Sequence, residues 1–122
     1  MYERTTRQLL KELGMPTNIL GYTYNVDAIT IVAQDPSMIH GITKLLYPIV
    51  AQRHNTTPVR VERAMRHAIE VTFSNSDVDV VYAVFGNTIS VHRGKPTNSQ
   101  FIATVAECAR DRVEAESRWN VR

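Results

Sequence analysis

The chain has 122 residues, of which 43% are apolar and 21% are charged. It is therefore long enough for one modest hydrophobic core and too ordinary in composition for a disordered protein. Its net charge of +2 identifies no partner by itself, and its single cysteine, Cys108, excludes an intramolecular disulfide and a zinc site built from cysteines. The polar N-terminal sequence and the lack of a long apolar stretch favour a soluble, cytoplasmic protein with no membrane association.

Helical spacing of apolar residues dominates the first half of the chain. A leucine stripe that ends at Leu13 predicts a first helix, which Gly14 stops. Asn25 is suited to cap a second helix, which is expected to end near Asp35 because a proline follows. A further stripe with three- and four-residue spacing predicts a third helix over residues 38–46.

In the second half, capping residues and prolines mark where helices begin. Pro48 opens a short helix, since proline suits the first turn and fits the interior badly. Thr57 caps the next helix, over residues 58–73. The apolar run 78–85 is interpreted as a helix because a lone strand would have no pairing partner. A Thr-x-x-Gln capping box predicts a last helix over residues 97–116.

The segment 47–70 has the residue pattern of a helix-turn-helix. Ala51 is the small residue where two helices cross, Asn55 tolerates the left-handed backbone of the turn, and Val61 anchors the second helix on the first. The expected fold is therefore all-α, a compact bundle of about six helices containing a helix-turn-helix.

The second helix of this motif has two different faces. Val61 and Met65 fall on an apolar face that must be buried, whereas the other face carries charged side chains. Arginine can donate two hydrogen bonds to guanine in the major groove, and a carboxylate can accept one from cytosine. The residues expected to contact base edges are Arg60, Glu62, Arg63, Arg66, His67 and Glu70.

The positive charge of the chain is concentrated next to this helix. Residues 44–66 contain five basic residues and one acidic residue, whereas residues 67–91 contain no lysine or arginine. Cationic and hydroxyl side chains in and before the turn are suited to hold phosphates and so to fix the register on a duplex. The residues expected to contact phosphates are Lys44, Arg53, Thr56 and Thr57.

The charged stripe has a simpler interpretation, because most such stripes are solvated surface. Its spacing and the local charge nevertheless favour DNA binding. The alternative function is a helical protein-interaction module, such as a truncated relative that acts by competition, whose basic face docks an acidic partner. The four histidines lack the local pairing of helical metal sites, and Cys108 lies on an apolar stripe. We therefore expect no enzyme activity, no catalytic residue, no metal and no cofactor.

Five collinear stretches carry a resemblance to a known family: GYTY (21–24), GITKLLYP (41–48), NTT (55–57), RVERAMRHAIE (60–70) and KPTNS (95–99). They span roughly residues 7–107. In these stretches the chain resembles the C-terminal DNA-binding effector domain of the sporulation master response regulators, the stage-zero sporulation protein A family. The block at 60–70 is far more specific than a generic helix-turn-helix.

The resemblance implies an all-α effector domain of a two-component phosphorelay, which activates or represses transcription at sporulation initiation. It implies that helix 58–73 reads a short asymmetric DNA box in the major groove, as a homodimer or as tandem copies. It also implies contact with the RNA polymerase sigma subunit through the segment 78–90, with Val78, Asp79 and Phe85 as candidates. Burial statistics alone favour Phe85 as a core residue of the helix, whereas the resemblance favours a mixed role in which Phe85 is also an exposed aromatic anchor. Family members carry an additional receiver domain, so residues 1–122 are expected to form a single effector domain without it.

Overall fold

The computed structural model describes residues 1–75, 77–86 and 95–120. Within these ranges the chain forms six α-helices and no β-strand, as the all-α expectation requires. The helices are α1 (Tyr2–Glu12), α2 (Leu20–Gln34), α3 (Tyr47–Arg53), α4 (Pro58–Asn75), α5 (Val78–Phe85) and α6 (Asn98–Asn120). No helix of the described residues combines the length and the apolar character that a membrane crossing needs.

The first two helices differ in how well the sequence predicted them. Helix α1 ends where expected, with Gly14 at a φ of 88°. Helix α2 begins at Leu20, so the prediction that Asn25 caps it is wrong. Asn25 is fully buried inside the helix, where its Nδ2 donates to the carbonyl of Gly21 at 2.7 Å. A bond to the preceding turn satisfies this amide donor, which is why a residue typical of helix caps fits the helix interior here.

The third predicted helix is irregular. The chain forms a 3₁₀ segment over Pro36–Gly41 and a π-helical turn over Ile42–Leu46, and it then continues directly into α3. Gly41 interrupts the regular helix with φ −125° and ψ 36°. Because of the changed pitch, Leu45 is exposed while Leu46 is buried, although both belonged to the predicted apolar stripe. Pro48 lies in the first turn of α3, as predicted.

Helix α2 supports α4 through a close contact between small residues. A Cβ atom added to Gly21 would lie 2.1 Å from the carbonyl oxygen of Ala64 and 2.6 Å from the Cβ of Ala68. Both distances are shorter than van der Waals contact, so only glycine fits at this crossing. The position of α4 is thus set by backbone-to-backbone packing rather than by flexible side chains.

Three phenylalanines join the last three helices. The ring of Phe85 at the end of α5 lies 5.5 Å from the ring of Phe73 in α4 and 5.9 Å from that of Phe101 in α6. The helix predicted over residues 78–85 is confirmed, and Gly86 follows it at a φ of 54°. The aromatic cluster is therefore one of the packing contacts that hold α5 on the bundle, together with the partly buried valines of this helix.

Both hydrogen bonds of the capping box predicted for the last helix are present. The backbone N–H of Gln100 donates to Thr97 Oγ1 at 3.1 Å, and the backbone N–H of Thr97 donates to Gln100 Oε1 at 3.0 Å. Two N–H groups near the helix start are satisfied in this way. Helix α6 extends to Asn120, four residues beyond the predicted end.

Candidate nucleic-acid interface

Helices α3 and α4 are joined by a short turn with the features that the sequence predicted. Ala51 is buried in α3 and Val61 is buried in α4. Asn55 has a φ of 52° and is the only non-glycine residue at positive φ in the described part of the chain. The backbone N–H of Thr56 donates to the carbonyl of Ala51 at 2.9 Å, which closes the turn.

The turn is also fixed from the side by α2. Nε2 of His54 lies 2.5 Å from Oδ2 of Asp27, and the His54 ring centroid lies 5.1 Å from that of Tyr24. This carboxylate–imidazole contact holds the turn next to Arg53 against a buried helix. Asp27 and His54 are 27 residues apart, so no local pattern in the sequence links them.

Along the first turns of helix α4, the buried side is apolar and the exposed side carries the charged residues, with Val59 as an exposed apolar residue at the helix start. Val61, Met65, Ala68 and Ile69 are buried. In α-helical geometry, the exposed charged positions between residues 60 and 70 span about 120° of arc around the helix axis and about 15 Å along it. Five of the six side chains predicted to contact bases are exposed on this side: Arg60, Arg63, Arg66, His67 and Glu70.

Glu62, the sixth of these residues, is only partly exposed. Its Oε1 lies 3.6 Å from Nη1 of Arg66, one turn later in the helix. The carboxylate therefore lies at the edge of the charged face and orients a guanidinium on that face. In the described structure it is a partner of Arg66 as well as a candidate acceptor for a base.

Asn98, the first residue of α6, connects α3 to α4. Its Nδ2 donates to the hydroxyl oxygen of Tyr47 at 3.0 Å and to the backbone carbonyl of Glu62 at 3.2 Å. Burial raises the pKa of the Tyr47 phenol, which keeps the hydroxyl protonated. The sequence pattern predicted a helix cap at residue 97. It did not predict the two hydrogen bonds of Asn98, because their acceptors are 51 and 36 residues away.

Of the four predicted phosphate contacts, Thr56 and Thr57 directly precede α4, and Arg53 is the last residue of α3 before the turn. Arg53 and Thr57 are exposed, and Thr56 is half-buried. Thr57 Oγ1 accepts from the backbone N–H of Arg60 at 3.3 Å, so its own hydroxyl hydrogen is left to donate. The N-terminus of a helix favours anions. Lys44 is exposed on a different element, the π-helical turn.

A polar groove of about 440 Å³ runs beside the charged face of α4. Arg66 and Glu70 form one side of it, and the start of α6 with Lys95 and Thr97 forms the other. Lys95 is exposed and adds a cation that the sequence analysis did not assign to the interface. Its position shortly before a helix start was visible in the sequence, but its approach to α4 was not.

Of the residues expected to contact the sigma subunit, one is exposed and one is buried. Asp79 is exposed, and its backbone N–H donates to Asp77 Oδ1 at 2.8 Å. Phe85 is 3% exposed, so the expectation of an exposed aromatic anchor is wrong, because its ring completes the aromatic cluster of the core. The side chain of Val78 and the rest of the segment, residues 87–90, lie outside the described residues.

Cys108 is half-buried on α6, where its Sγ lies 3.8 Å from the carbonyl oxygen of Val84. Burial raises the pKa of this thiol, which disfavours the reactive thiolate. Among the described residues, no three histidine, cysteine, aspartate or glutamate side chains form a group that could hold a metal ion.

Comparison with known families assigns the chain. The family model described as "Sporulation initiation factor Spo0A C terminal" matches residues 6–108, which include α2 to α5, most of α1 and the first half of α6. The match also covers the whole charged face of α4 and the turn before it. The family is one of DNA-binding regulatory domains of sporulation, the effector domains of response regulators, and not one of enzymes. The chain therefore belongs to the Spo0A C-terminal family, as its sequence resemblance indicated.

Proposed function

We propose that the chain binds double-stranded DNA in a sequence-specific manner and thereby regulates transcription at sporulation initiation. In this proposal α3, the turn and α4 act as a helix-turn-helix, with residues 58–73 in the major groove. One observation carries the proposal. The exposed side of α4 holds the arginines, the histidine and one carboxylate that can read base edges, while its other side is fully buried in the core.

The charged face offers both kinds of base readout. Arg63 lies directly opposite the buried face of α4, so its guanidinium has the most direct path to a guanine. Glu70 can accept from a cytosine amino group. Glu62 holds Arg66 at 3.6 Å, which reduces the number of orientations that Arg66 must lose on binding.

The surroundings of α4 support a matching set of phosphate contacts. Arg53 and the two threonines of the turn would bind one phosphate region near the N-terminus of α4. Lys44 on the π-helical turn would bind another. Because these contacts carry no sequence information, they would set affinity for every duplex equally.

A binding experiment on the purified chain tests the proposal. A randomised duplex library is first enriched on the chain, and the selected duplex and a scrambled version are then titrated at two salt concentrations. Arg63→Ala is expected to lose roughly 1–3 kcal/mol on the selected duplex and little on the scrambled one. Arg118→Ala, which removes the same charge from the end of α6, is the matched control.

The alternatives predict different outcomes of the same titration. If Arg63→Ala weakened binding equally on both duplexes, Arg63 would contact a phosphate and not a base. No enrichment at all would favour the protein-interaction module. Lys44→Ala and Arg53→Ala are each expected to weaken binding to both duplexes and to lower the salt slope by about one. The mass of the complex distinguishes one chain per duplex from a homodimer or tandem pair.

We further propose that the exposed side of α5 contacts the sigma subunit of RNA polymerase. Asp79 is the candidate that the structure leaves accessible, and Tyr82 is 57% exposed on the same helix. Asp79→Ala is expected to keep DNA affinity and melting temperature while it lowers activated transcription with purified polymerase. Unchanged activation would exclude Asp79 from the contact.

A further inference from the structure

We propose that Val59 recognises the C5 methyl group of a thymine, a role that rests on the DNA binding proposed above. Val59 is the second residue of α4 and is 57% exposed. The other large apolar residues in the first three turns of this helix, Val61, Met65 and Ile69, are buried. Val59 thus stands apart as an apolar side chain on the charged side of α4.

The helical position of Val59 is central to the charged face. Residues 59, 63, 66 and 70 follow each other at spacings of four, three and four, which keeps them within about 60° of arc. Val59 is therefore the N-terminal member of the same stripe as Arg63, Arg66 and Glu70. A helix that presents these three side chains to base edges also presents the two methyl groups of Val59.

Folding gives no reason for a valine at this position. Val59 lies outside the buried core cluster. Valine is also a poorer helix former than alanine, so an exposed valine adds nothing to the stability of α4. An apolar group in the major groove has one natural partner, the methyl group of thymine, which distinguishes that base from cytosine.

The short side chain of Val59 also limits which thymine it can reach. Four residues of helix span about 6 Å, and successive base pairs are about 3.4 Å apart. The thymine should therefore lie within two base pairs of the position that Arg63 reads. A valine reaches a base only where the backbone comes close, and the first turn of a recognition helix is such a place.

Replacement of thymine by uracil tests this directly, because it removes only the methyl group. Each thymine of the selected duplex is replaced singly by deoxyuridine, and affinity is measured for the wild-type chain. We expect one position near the Arg63-dependent base pair to lose about fourfold in affinity, the factor for burying one methyl group. Val59→Ala should weaken binding to the thymine duplex and should abolish the difference between thymine and uracil.

Two controls isolate the contact. Leu45→Ala removes another exposed apolar side chain, outside α4, and should keep the uracil effect unchanged. The melting temperature of Val59→Ala should match or exceed that of the wild type. The proposal is overturned if Val59→Ala keeps the same uracil penalty, if no thymine near the Arg63 position shows a penalty, or if no thymine is selected there. A library that yields no preferred duplex overturns the DNA-reading function itself, and the proposal with it.

Discussion

Helices α4 and α5 present two differently built surfaces. In α4 the apolar residues of the first three turns are buried, apart from Val59, and the charged residues are exposed. In α5, Phe85 is the fully buried side chain among those described, while Val80, Val81 and Val84 are only partly buried. The surface of α4 is thus fixed by fully buried residues along its length, whereas α5 is held by one fully buried ring and by valines that are only partly buried. A rigid face suits base readout, where small displacements cost affinity.

The two surfaces also differ in charge. The first half of α4 carries most of the cations of the segment 44–66, whereas residues 77–86, which include α5, contain two aspartates and no lysine, arginine or histidine. Phosphates would attract the first surface and repel the second. The two helices nevertheless meet where the ring of Phe73 packs on that of Phe85. A change at this contact should therefore affect both surfaces, and replacement of Phe85 is the first test of this.

Phe85→Ala should have the largest effect on stability. The ring is 3% exposed and packs on two others, so its loss should cost about 3–5 kcal/mol in the free energy of unfolding. Tyr82→Ala, on the exposed side of the same helix, should cost much less. Urea denaturation of both variants checks this. Near-equal midpoints would show that α5 does not depend on its aromatic contact.

Gly21→Ala tests the support of α4 in the same way. The added Cβ would meet the Ala64 carbonyl oxygen at 2.1 Å, so α2 and α4 would have to separate, at a cost of about 3 kcal/mol. Gly14→Ala is the matched control, because nothing lies within 4 Å of its added Cβ and only its positive φ is strained. That strain should cost about 1–2 kcal/mol. A smaller loss for Gly21→Ala than for Gly14→Ala would contradict the close crossing.

Local patterns in the sequence predicted much of this fold. The Thr97 capping box, the proline at position 48 and the turn at Asn55 each depend on neighbours a few residues away, and each was confirmed. The cap at Asn25 was wrong because the side-chain amide can bond within a helix as well as at its start. Propensity alone does not distinguish these two uses.

The contacts that fix the candidate interface could not be predicted from the sequence. Asp27 with His54, and Asn98 with Tyr47, join residues far apart in the chain. Their chemistry is ordinary, so no motif marks them. Burial statistics favoured a buried Phe85, but the rings on which it packs lie in two other helices and were not predictable from the sequence. The sequence thus predicted which residues face outward on α4, but not what holds α4 in place.

Asn98→Ala should sharpen the distinction between stability and readout. It removes two hydrogen bonds that link α6 to α3 and α4, which should cost about 1–3 kcal/mol in stability. Affinity for the selected duplex should fall more than affinity for the scrambled one, since base readout depends on the orientation of α4. Asn98→Asp, which keeps the shape and loses the amide donors, should behave like the alanine variant. Equal losses on both duplexes would assign Asn98 to stability alone.

The smallest predicted effect concerns the side of the bundle near α5. Oε1 and Oε2 of Glu12 in α1 each lie 2.8 Å from a guanidinium nitrogen of Arg112 in α6. The hydrogen bond from Arg112 lowers the pKa of the Glu12 carboxyl from its ordinary 4.5. Both side chains are more than a third exposed, at 41% and 38%, so the pair should add less than about 1 kcal/mol.

The pH dependence of this pair follows from the direction of the shift. Because the pKa of Glu12 is lower in the folded state, its stabilisation is fully present above pH 4.5 and is lost as the pH falls below that value. Glu12→Gln should therefore be slightly less stable than the wild type at neutral pH, and the difference should shrink as the pH falls below 4.5 and through the lowered pKa of Glu12. Urea denaturation of Glu12→Gln, Arg112→Gln and the double variant measures the coupling. The two side chains would act independently if the stability loss of Glu12→Gln persisted in acid. The same would follow if the double variant lost the sum of the two single losses.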